Sequence, residues 1–246
     1  MALTHSPRIV TDGLVLALDA RNTKSYPGSG STWTDLMGNG YNAVLYNSPT
    51  HNSSVGYISF NGTNQYADHT VPDIATYNLG GYIETDFTFE VMFRMVTLPT
   101  AQYAANGHVW GGENGNDIVM YVNPASSGES NLNLVFDDSR YAASSTGHIT
   151  NETITANTWV HWVCQSRRSD STIAHYINGQ LDKTFTSVVS GQENKPRPND
   201  VCNIAYDSRY LTYSELDVAV IREYHRLLSA SEIKQNFNAL RGRFGI

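Results

Sequence analysis

Alternating apolar and polar residues predict an all-β protein, and the clearest stretch runs from Trp159 to Phe185. Its first segment, W-V-H-W-V-C, carries mostly apolar residues on both faces, as expected of a central strand with another sheet stacked on it. The polar run 167–171 then predicts a loop before a second strand from Ile173 to Ile177. Asn178-Gly179 tolerates the positive φ angles of a tight hairpin turn, so the stretch predicts three consecutive antiparallel strands.

The strand pattern continues over most of the chain. The run F-T-F-E-V-M-F-R-M-V after Asp86 places its phenylalanines on one face and leaves the other face for solvent. Further strands are predicted at Gly13–Asp19, Tyr57–Phe60, Ile118–Val122, Leu132–Phe136 and Val218–Tyr224. Glycine, proline and polar residues predict loops over 25–40, 102–117 and 191–200.

One helix is predicted, near the C-terminus. Ser229 and Glu232 have the spacing of a capping box, and apolar residues recur after them at helical intervals. The helix is predicted over 229–241, with Gly242 ending it and 242–246 forming a tail. At the other end, residues 1–8 have no evident place in a sheet and are predicted to form an N-terminal arm.

Size and charge narrow the function classes. A length of 246 residues without an internal repeat or linker predicts a single domain over residues 1–246. The formal net charge of −7 disfavours nucleic-acid and membrane-surface binding, and no apolar run is long enough to cross a membrane. The first residues contain no apolar signal core, so synthesis in a reducing cytoplasm is expected. Cys164 and Cys202 are then predicted to be buried free thiols rather than a disulfide.

Three patches resemble the laminin-G-like, concanavalin A-like jelly-roll family. They are F-N-G-T-N-Q-Y over 60–66, Trp159 and His161 leading to Y-I-N-G over 176–179, and Y-H-R-L-L-S over 224–229 with Glu232-Ile233 after it. The resemblance implies two antiparallel sheets of about six or seven strands stacked face to face. We therefore expect an all-β, two-sheet antiparallel jelly-roll sandwich of the concanavalin A-like type, with a short C-terminal helix.

A narrower resemblance concerns the stretches 9–36 and 229–246, which are similar to the version of this domain in structural proteins of tailed bacteriophages. It implies a non-enzymatic capsid decoration or tail-associated protein, carried in many copies on the virion surface after synthesis in the host cytoplasm. The implied partners are other virion proteins, and a homo-oligomer is expected. Two alternatives stay open: a glycan-binding receptor or adhesion protein of the same virion, and a glycoside hydrolase.

Both ends of the chain are candidates for virion attachment. Pro7 and Arg8 lie in the predicted polar arm, and Arg243, Phe244 and Ile246 lie in the predicted tail. Short arms of this kind add contacts at symmetric sites, and repetition over a shell multiplies weak binding. Deleting either end is expected to weaken attachment while the domain still folds, because neither end supplies a core strand.

The resemblance implies calcium as a possible cofactor, because members of the wider family often bind it. Ala219 stands where many members have an acidic ligand, so that carboxylate is missing here. Asp19 and Asp217 remain as weak candidate oxygen ligands, although aspartates at strand ends usually serve as turn or cap residues. No cofactor is therefore expected, with a structural calcium ion as the alternative.

Three acidic residues on one predicted strand are candidates for catalysis. Glu84, Asp86 and Glu90 share parity and would project from one face, as the carboxylates of glycoside hydrolases with this broad fold do. Three residues separate Asp86 from Glu90, where the pattern of the enzymes has at most two. The alternative is the solvated face of an amphipathic strand, and we expect no catalytic residue and no enzymatic activity.

Two predicted loops contain the ingredients of a sugar-binding site, which combines an aromatic ring with polar groups for the sugar hydroxyls. The first loop offers Trp110 and Asn114. The second offers Asp137, Asp138, Arg140 and Tyr141. The alternative for the first loop is that Trp110 anchors its own loop or packs on a neighbouring subunit.

Overall fold

The structure, a computed structural model, describes residues 8–70, 86–100, 107–112, 118–124, 128–136, 148–167, 169–170, 172–186, 201–208 and 210–246. In chain order the strands are β1 (Leu14–Asp19), β2 (Thr32–Trp33), β3 (Ala43–Tyr46), β4 (Thr50–Asn52), β5 (Tyr57–Asn61), β6 (Tyr66–Thr70), β7 (Phe87–Met95), β8 (His108–Gly112), β9 (Ile118–Val122), β10 (Ser130–Phe136), β11 (His148–Ile154), β12 (Val160–Arg167), β13 (Thr172–Ile177), β14 (Gln180–Phe185), β15 (Val201–Ile204), β16 (Tyr206–Asp207), β17 (Thr212–Tyr213) and β18 (Glu215–Tyr224). The helix α1 (Ala230–Phe244) follows the last strand.

These strands form two antiparallel sheets. Sheet A has the order β14-β13-β12-β7-β18-β5-β4, with β1 also paired to β18. Sheet B has the order β11-β10-β9-β8-β15-β6-β3-β2, and β16 and β17 form a separate hairpin. The predicted two-sheet antiparallel sandwich with a C-terminal helix is confirmed, although each sheet has eight described strands instead of six or seven.

The main core lies between the two sheets and takes alternate residues from the central strands β7 and β12. Phe89, Val91 and Phe93 of β7 are buried in it, as their alternation predicts. Trp162 of β12 and Trp33 of β2 belong to the same cluster and have no exposed surface. Alternation therefore identifies the inner face of the central strands correctly.

The opposite face of β7 is also buried, which the sequence pattern does not predict. Glu90 and Met92 on that face have no exposed surface. Helix α1 covers them, because Leu240 joins Met92 in one apolar cluster and Asn236 donates a hydrogen bond to Glu90. The prediction that this face of the strand is exposed to solvent is therefore wrong, because a helix from the far end of the chain packs on it.

Helix α1 begins where predicted but ends later. The side chain of Ser229 accepts a hydrogen bond from the backbone N–H of Glu232, whose carboxylate accepts from the backbone N–H of Ser229, so the capping box is confirmed. Gly242 remains within the helix, and Gly245, at φ 72°, caps it instead. Phe244 is therefore the last helical residue, and the predicted tail 242–246 is mostly helix.

The predicted hairpins of sheet A are confirmed. Strands β12, β13 and β14 are consecutive neighbours, and Asn178 and Gly179 have φ angles of 51° and 73° in the turn between β13 and β14. A Cβ at Gly179 would lie 3.0 Å from the Cβ of Phe237, so the turn sits directly against α1. Cys164 and Cys202 are buried and are not joined by a disulfide, as predicted.

Two predicted loops contain strands. The short strand β2 lies within the predicted loop 25–40. Within the predicted loop 102–117, β8 forms at His108–Gly112 and pairs with β9 on one side and β15 on the other. Backbone hydrogen bonds to two neighbouring strands hold this segment as a strand, although its glycines favour a loop when the local sequence is considered alone. None of the helical residues described belongs to a segment long and apolar enough to cross a membrane.

Candidate functional site

Glu90, one of the acidic residues considered for catalysis, lies at the centre of a buried polar network between sheet A and α1. Its Oε1 accepts hydrogen bonds from Arg222 Nη1 at 2.7 Å and from His161 Nε2 at 2.9 Å, and its Oε2 accepts from Asn236 Nδ2 at 2.7 Å. Burial alone would raise the pKa of this carboxyl, but the charge of Arg222 and the bonds from His161 and Asn236 lower it to about 2. Glu90 is therefore an ionised structural group with no access to a substrate.

Asp86 does not complete a catalytic pair with Glu90. Asp86 is half-buried just before β7, and Glu84 lies outside the described residues. Because Glu90 is sealed beneath α1, it does not share an open face of the strand with Asp86. The absence of an enzymatic activity stays a prediction.

Both candidate calcium ligands are already paired with arginines. Asp217 is buried, accepts a hydrogen bond from the Ser59 hydroxyl and forms an ion pair with Arg94 Nε at 2.5 Å. Asp19 forms an ion pair with Arg243 Nη1 at 2.7 Å. Among the described residues, no group of three or more His, Cys, Asp or Glu side chains is arranged to hold a metal ion. The two aspartates therefore act as partners of arginines in this structure.

Trp110, the aromatic residue of the first predicted sugar-binding loop, is in the core. Only 6% of its surface is exposed, its ring centroid lies 4.0 Å from that of Phe89, and its Nε1 donates to His69 Nε2 at 2.9 Å. A ring packed this way cannot stack on a sugar from solvent, and the burial agrees with the alternative that Trp110 anchors its own segment. The remaining candidates, Asn114, Asp137, Asp138, Arg140 and Tyr141, lie outside the described residues.

The residues proposed for virion attachment are held by the domain. Arg243 donates to Asp19 and to the carbonyls of Val55 and Gly56. The ring of Phe244 lies 4.4 Å from that of Trp159, and Ile246 packs on the same apolar cluster. At the other end, Arg8 is exposed and its carbonyl accepts from Gln235 Nε2 at 2.6 Å, whereas Pro7 lies outside the described residues.

The prediction that residues 242–246 form a tail beyond the helix is therefore wrong for the residues up to Phe244, which are helical. These residues complete α1 and cover apolar surface of sheet A. Whether they also contact another protein stays a prediction, as does attachment through the N-terminal arm.

The outer face of sheet B carries a different cluster of aromatic residues, which the sequence analysis missed. Tyr46 of β3 and Tyr66 of β6 are opposite each other in register, and their rings stack at 4.4 Å with an interplanar angle of 6°. Tyr206 and Tyr213 of the β16–β17 hairpin stack at 4.6 Å, and Tyr206 lies 5.0 Å from Tyr66. These four half-buried residues, Tyr46, Tyr66, Tyr206 and Tyr213, are called the tyrosine cluster.

Alternation along β6 explains why the cluster faces outward. Ala67 and His69 are buried on the inner side of sheet B, so Tyr66 and Asp68 between them point to the opposite side. Burial raises the pKa of the Asp68 carboxyl above its usual value. A hydrogen bond donated by the hydroxyl of Tyr46 opposes this increase but does not cancel it. An acidic acceptor thus lies beside the aromatic rings.

Two buried polar residues are neighbours of the cluster in the sequence or in the strand register. Tyr121 of β9 donates from its hydroxyl to Asp207 Oδ2 at 2.7 Å, and Asp207 is buried. Asn203 of β15 is opposite Asp68 in register and is also buried. Tyr210 and Leu211, between β16 and β17, are exposed.

Aromatic faces next to carboxylate and amide oxygens are suited to sugars, whose C–H faces pack on rings while their hydroxyls need acceptors. The sequence contains 15 tyrosines, which was the available signal. It does not show that tyrosines 20 residues apart in β3 and β6 meet, because their pairing is a tertiary contact. The cluster therefore appears only once the strand order is known.

Comparison with known proteins agrees with the observed fold. Residues 61–234 match the family described as the concanavalin A-like lectin/glucanases superfamily. No curated protein sequence matches the chain. This match covers most of the sandwich, including all strands from β6 to β18.

Solved structures with the same fold include enzymes and toxins. Trypanosoma rangeli sialidase in complex with sialic acid aligns at a TM-score of 0.61 and 17% identity, over 98% of this chain and 36% of the sialidase. A botulinum neurotoxin type C that depends on two ganglioside molecules to enter cells aligns at 0.64 and 12%, over 93% of this chain and 51% of the toxin. The binding domain of botulinum neurotoxin DC, in complex with rat synaptotagmin II, aligns at 0.62 and 13%, over 93% and 52%. This chain thus spans about a third to half of these proteins, and the similarity establishes a common fold.

Proposed function

Because this chain belongs to the concanavalin A-like lectin/glucanases superfamily, we propose that it is a carbohydrate-binding domain whose sugar-binding surface is the tyrosine cluster. The observation that carries this proposal is the placement of four tyrosines on the outer face of sheet B beside the Asp68 carboxylate. Because the rings stack on one another, a sugar would pack on the outer faces of the rings at the ends of the cluster, and the Asp68 carboxylate would accept from its hydroxyls.

The polar groups of the cluster favour a neutral sugar over an acidic one. The Asp68 carboxylate already accepts from Tyr46, but a carboxylate has about four acceptor sites, so it can take a sugar hydroxyl as well. A sugar carboxylate would be repelled by Asp68 and Asp207. The ligand of this surface is therefore a neutral hexose unit within a glycan.

Two of the similar structures are of proteins with sugar ligands, which supports carbohydrate in general, though not an acidic sugar, as the ligand here. The T. rangeli sialidase is bound to sialic acid, and the botulinum neurotoxin type C interacts with gangliosides. These ligands belong to those proteins, whose chains are much longer than this one.

The proposed activity is binding without catalysis. A glycosidase needs two carboxyl groups that flank a bound sugar, one of them able to donate a proton. Glu90, held ionised by Arg222 and covered by α1, cannot serve in either role. A panel of polysaccharides should therefore yield no reducing ends, and hydrolysis abolished by a substitution in the tyrosine cluster would refute this part.

The proposed setting is the surface of a phage virion. Its support is the similarity of the stretches 9–36 and 229–246 to structural proteins of tailed bacteriophages. In that setting the domain, present in many copies, would hold a host surface glycan through repeated weak contacts. Finding the protein on purified particles tests this point separately from sugar binding.

A glycan array with quantitative titration of the best sugar tests the binding site. Tyr213→Ala removes a ring at the end of the cluster, and we expect at least about tenfold weaker binding, as for other aromatic anchors. Tyr176→Ala is the matched control, because Tyr176 is a half-buried tyrosine of β13 in sheet A. Circular dichroism establishes that each variant is folded.

The outcomes separate clearly. Loss of binding in Tyr213→Ala with retention in Tyr176→Ala supports the assignment. Failure of the folded wild-type protein to bind any sugar, or equal binding by both variants and the wild type, would show that the tyrosine cluster is not the site.

A further inference from the structure

A cleft of about 600 Å³ lies between β1 and the last turns of α1, and nothing in the proposed sugar site uses it. Its size falls within the range of small-molecule pockets. Its apolar lining, called the apolar wall, consists of Ile9, Ala17, Leu18, Leu36, Ala239 and Leu240. Its polar lining consists of Asp19, Arg21, Asn22, Arg222 and Arg243.

Three arginines line this cleft, against one lining carboxylate. Arg243 is engaged with Asp19 and with two backbone carbonyls, so it holds the polar lining together. Burial and the charges of Arg21 and Arg222 lower the pKa of Arg243, against the opposing effect of Asp19, so the three guanidinium groups are close enough to repel one another. An anion in the cleft would relieve that repulsion.

Arg222 supplies the donors for such an anion. It is 3% exposed, and among the described residues only its Nη1 makes a hydrogen bond, to Glu90. A guanidinium group has five N–H donors, so Arg222 keeps unused donors while it lines the cleft. Arg21 is exposed at the mouth and adds a second positive charge.

We propose that this cleft binds a small organic anion, whose carboxylate or phosphate group contacts Arg222 and Arg21 and whose apolar part contacts Leu36 and Leu240 of the apolar wall. Guanidinium groups bind both kinds of anion through paired hydrogen bonds. The site is on the side of the sandwich covered by α1, whereas the tyrosine cluster is on the outer face of sheet B, so either site can exist without the other.

The test is isothermal titration calorimetry at low ionic strength with three probes: inorganic phosphate, glucuronic acid and glucose. We expect saturable binding of phosphate, glucuronic acid or both, and none of glucose in the cleft. Arg21→Met keeps the aliphatic stem and removes the charge, and it should weaken binding about tenfold. Gly242→Leu should also weaken binding, because a Cβ at this lining position meets no atom within 4 Å and the added side chain would occupy the cleft.

Arg241→Met is the matched control. Arg241 is exposed on α1, next to Gly242, and does not line the cleft. It carries the same charge as Arg21. Weaker binding in Arg21→Met and Gly242→Leu, with wild-type binding in Arg241→Met, supports the proposal, and the preferred probe identifies the anion. Absence of saturable anion binding, or an equal loss in Arg241→Met, would overturn it. Any glucose binding that survives Gly242→Leu belongs to the tyrosine cluster and leaves this result unchanged.

Discussion

Acid should unfold the wild-type protein more steeply than the Glu90→Gln variant. The ionised Glu90 accepts hydrogen bonds from Arg222, His161 and Asn236 inside the fold, whereas in the unfolded chain it is surrounded by water. Its pKa is therefore about 2 in the folded protein and 4.5 in the unfolded one. A folded pKa below the unfolded value stabilises the protein fully above pH 4.5, and this contribution is lost as the pH falls towards 2.

The size of the effect follows from the two pKa values. The difference between 4.5 and about 2 corresponds to about 3 kcal/mol of unfolding free energy at neutral pH. Glu90→Gln removes this contribution and also leaves Arg222, which is 3% exposed, without its counter-charge. Breaking a buried pair in this way typically costs about 3–5 kcal/mol, so the variant should be less stable by a similar amount at pH 7.

Urea denaturation followed by tryptophan fluorescence measures the unfolding free energy of both proteins from about pH 7 to about pH 2.5. The gap between them should be largest at neutral pH and should shrink below pH 4.5 as the wild-type carboxylate takes up a proton. Glu152→Gln is the control, because Glu152 is exposed on β11 and its substitution should leave the curve close to wild type. A gap of constant size from neutral to acidic pH would show that the charge of Glu90 does not stabilise the fold.

Three further predictions concern the helix and the metal question. Ser229→Ala should lower the unfolding free energy by about 1 kcal/mol because it removes the N-cap of α1, and an unchanged urea midpoint would contradict this. Deleting residues 243–246 removes the Arg243 bonds and the packing of Phe244 on Trp159, so the melting temperature should fall by about 10 °C, and unaltered melting would show that this end is dispensable. Chelator should leave the melting temperature unchanged, because both candidate calcium ligands are paired with arginines; a drop reversed by calcium would show a metal site.

The sequence predicts the central strands, the tight turn and the helix cap, because each is set by residues that are close together in the chain. Alternation in β7 and β12, the turn at Asn178-Gly179 and the capping box at Ser229 each depend on a few neighbouring residues, and each is confirmed. The burial of Glu90 was not predicted, because its cover is a helix about 140 residues later in the chain. A polar residue on a strand looks solvated until the element that packs on it is known.

The sequence shows which residue types the candidate site contains, but it does not show which of these residues meet in the fold. Tyrosines and acidic residues were evident in composition, but Trp110 stood out locally because it is flanked by glycines, and it proved to be a core residue. The partners Tyr66 and Tyr206 come from strands far apart in the sequence. Only the strand order of sheet B brings them together, and strand order is set by long-range pairing that periodicity does not encode.

The position of β18 has a consequence for how the protein is made. This strand is the last in the chain, yet it lies inside sheet A and pairs with β7, β5 and β1. While a ribosome is still adding residues 215–224, the earlier strands have emerged with unpaired edges and an uncovered apolar face. Completion of sheet A must therefore wait until residues 215–224 have left the ribosome. During that interval the nascent chain is exposed to strand exchange with its neighbours on the same messenger RNA, and protection by a chaperone would have its largest effect on yield then.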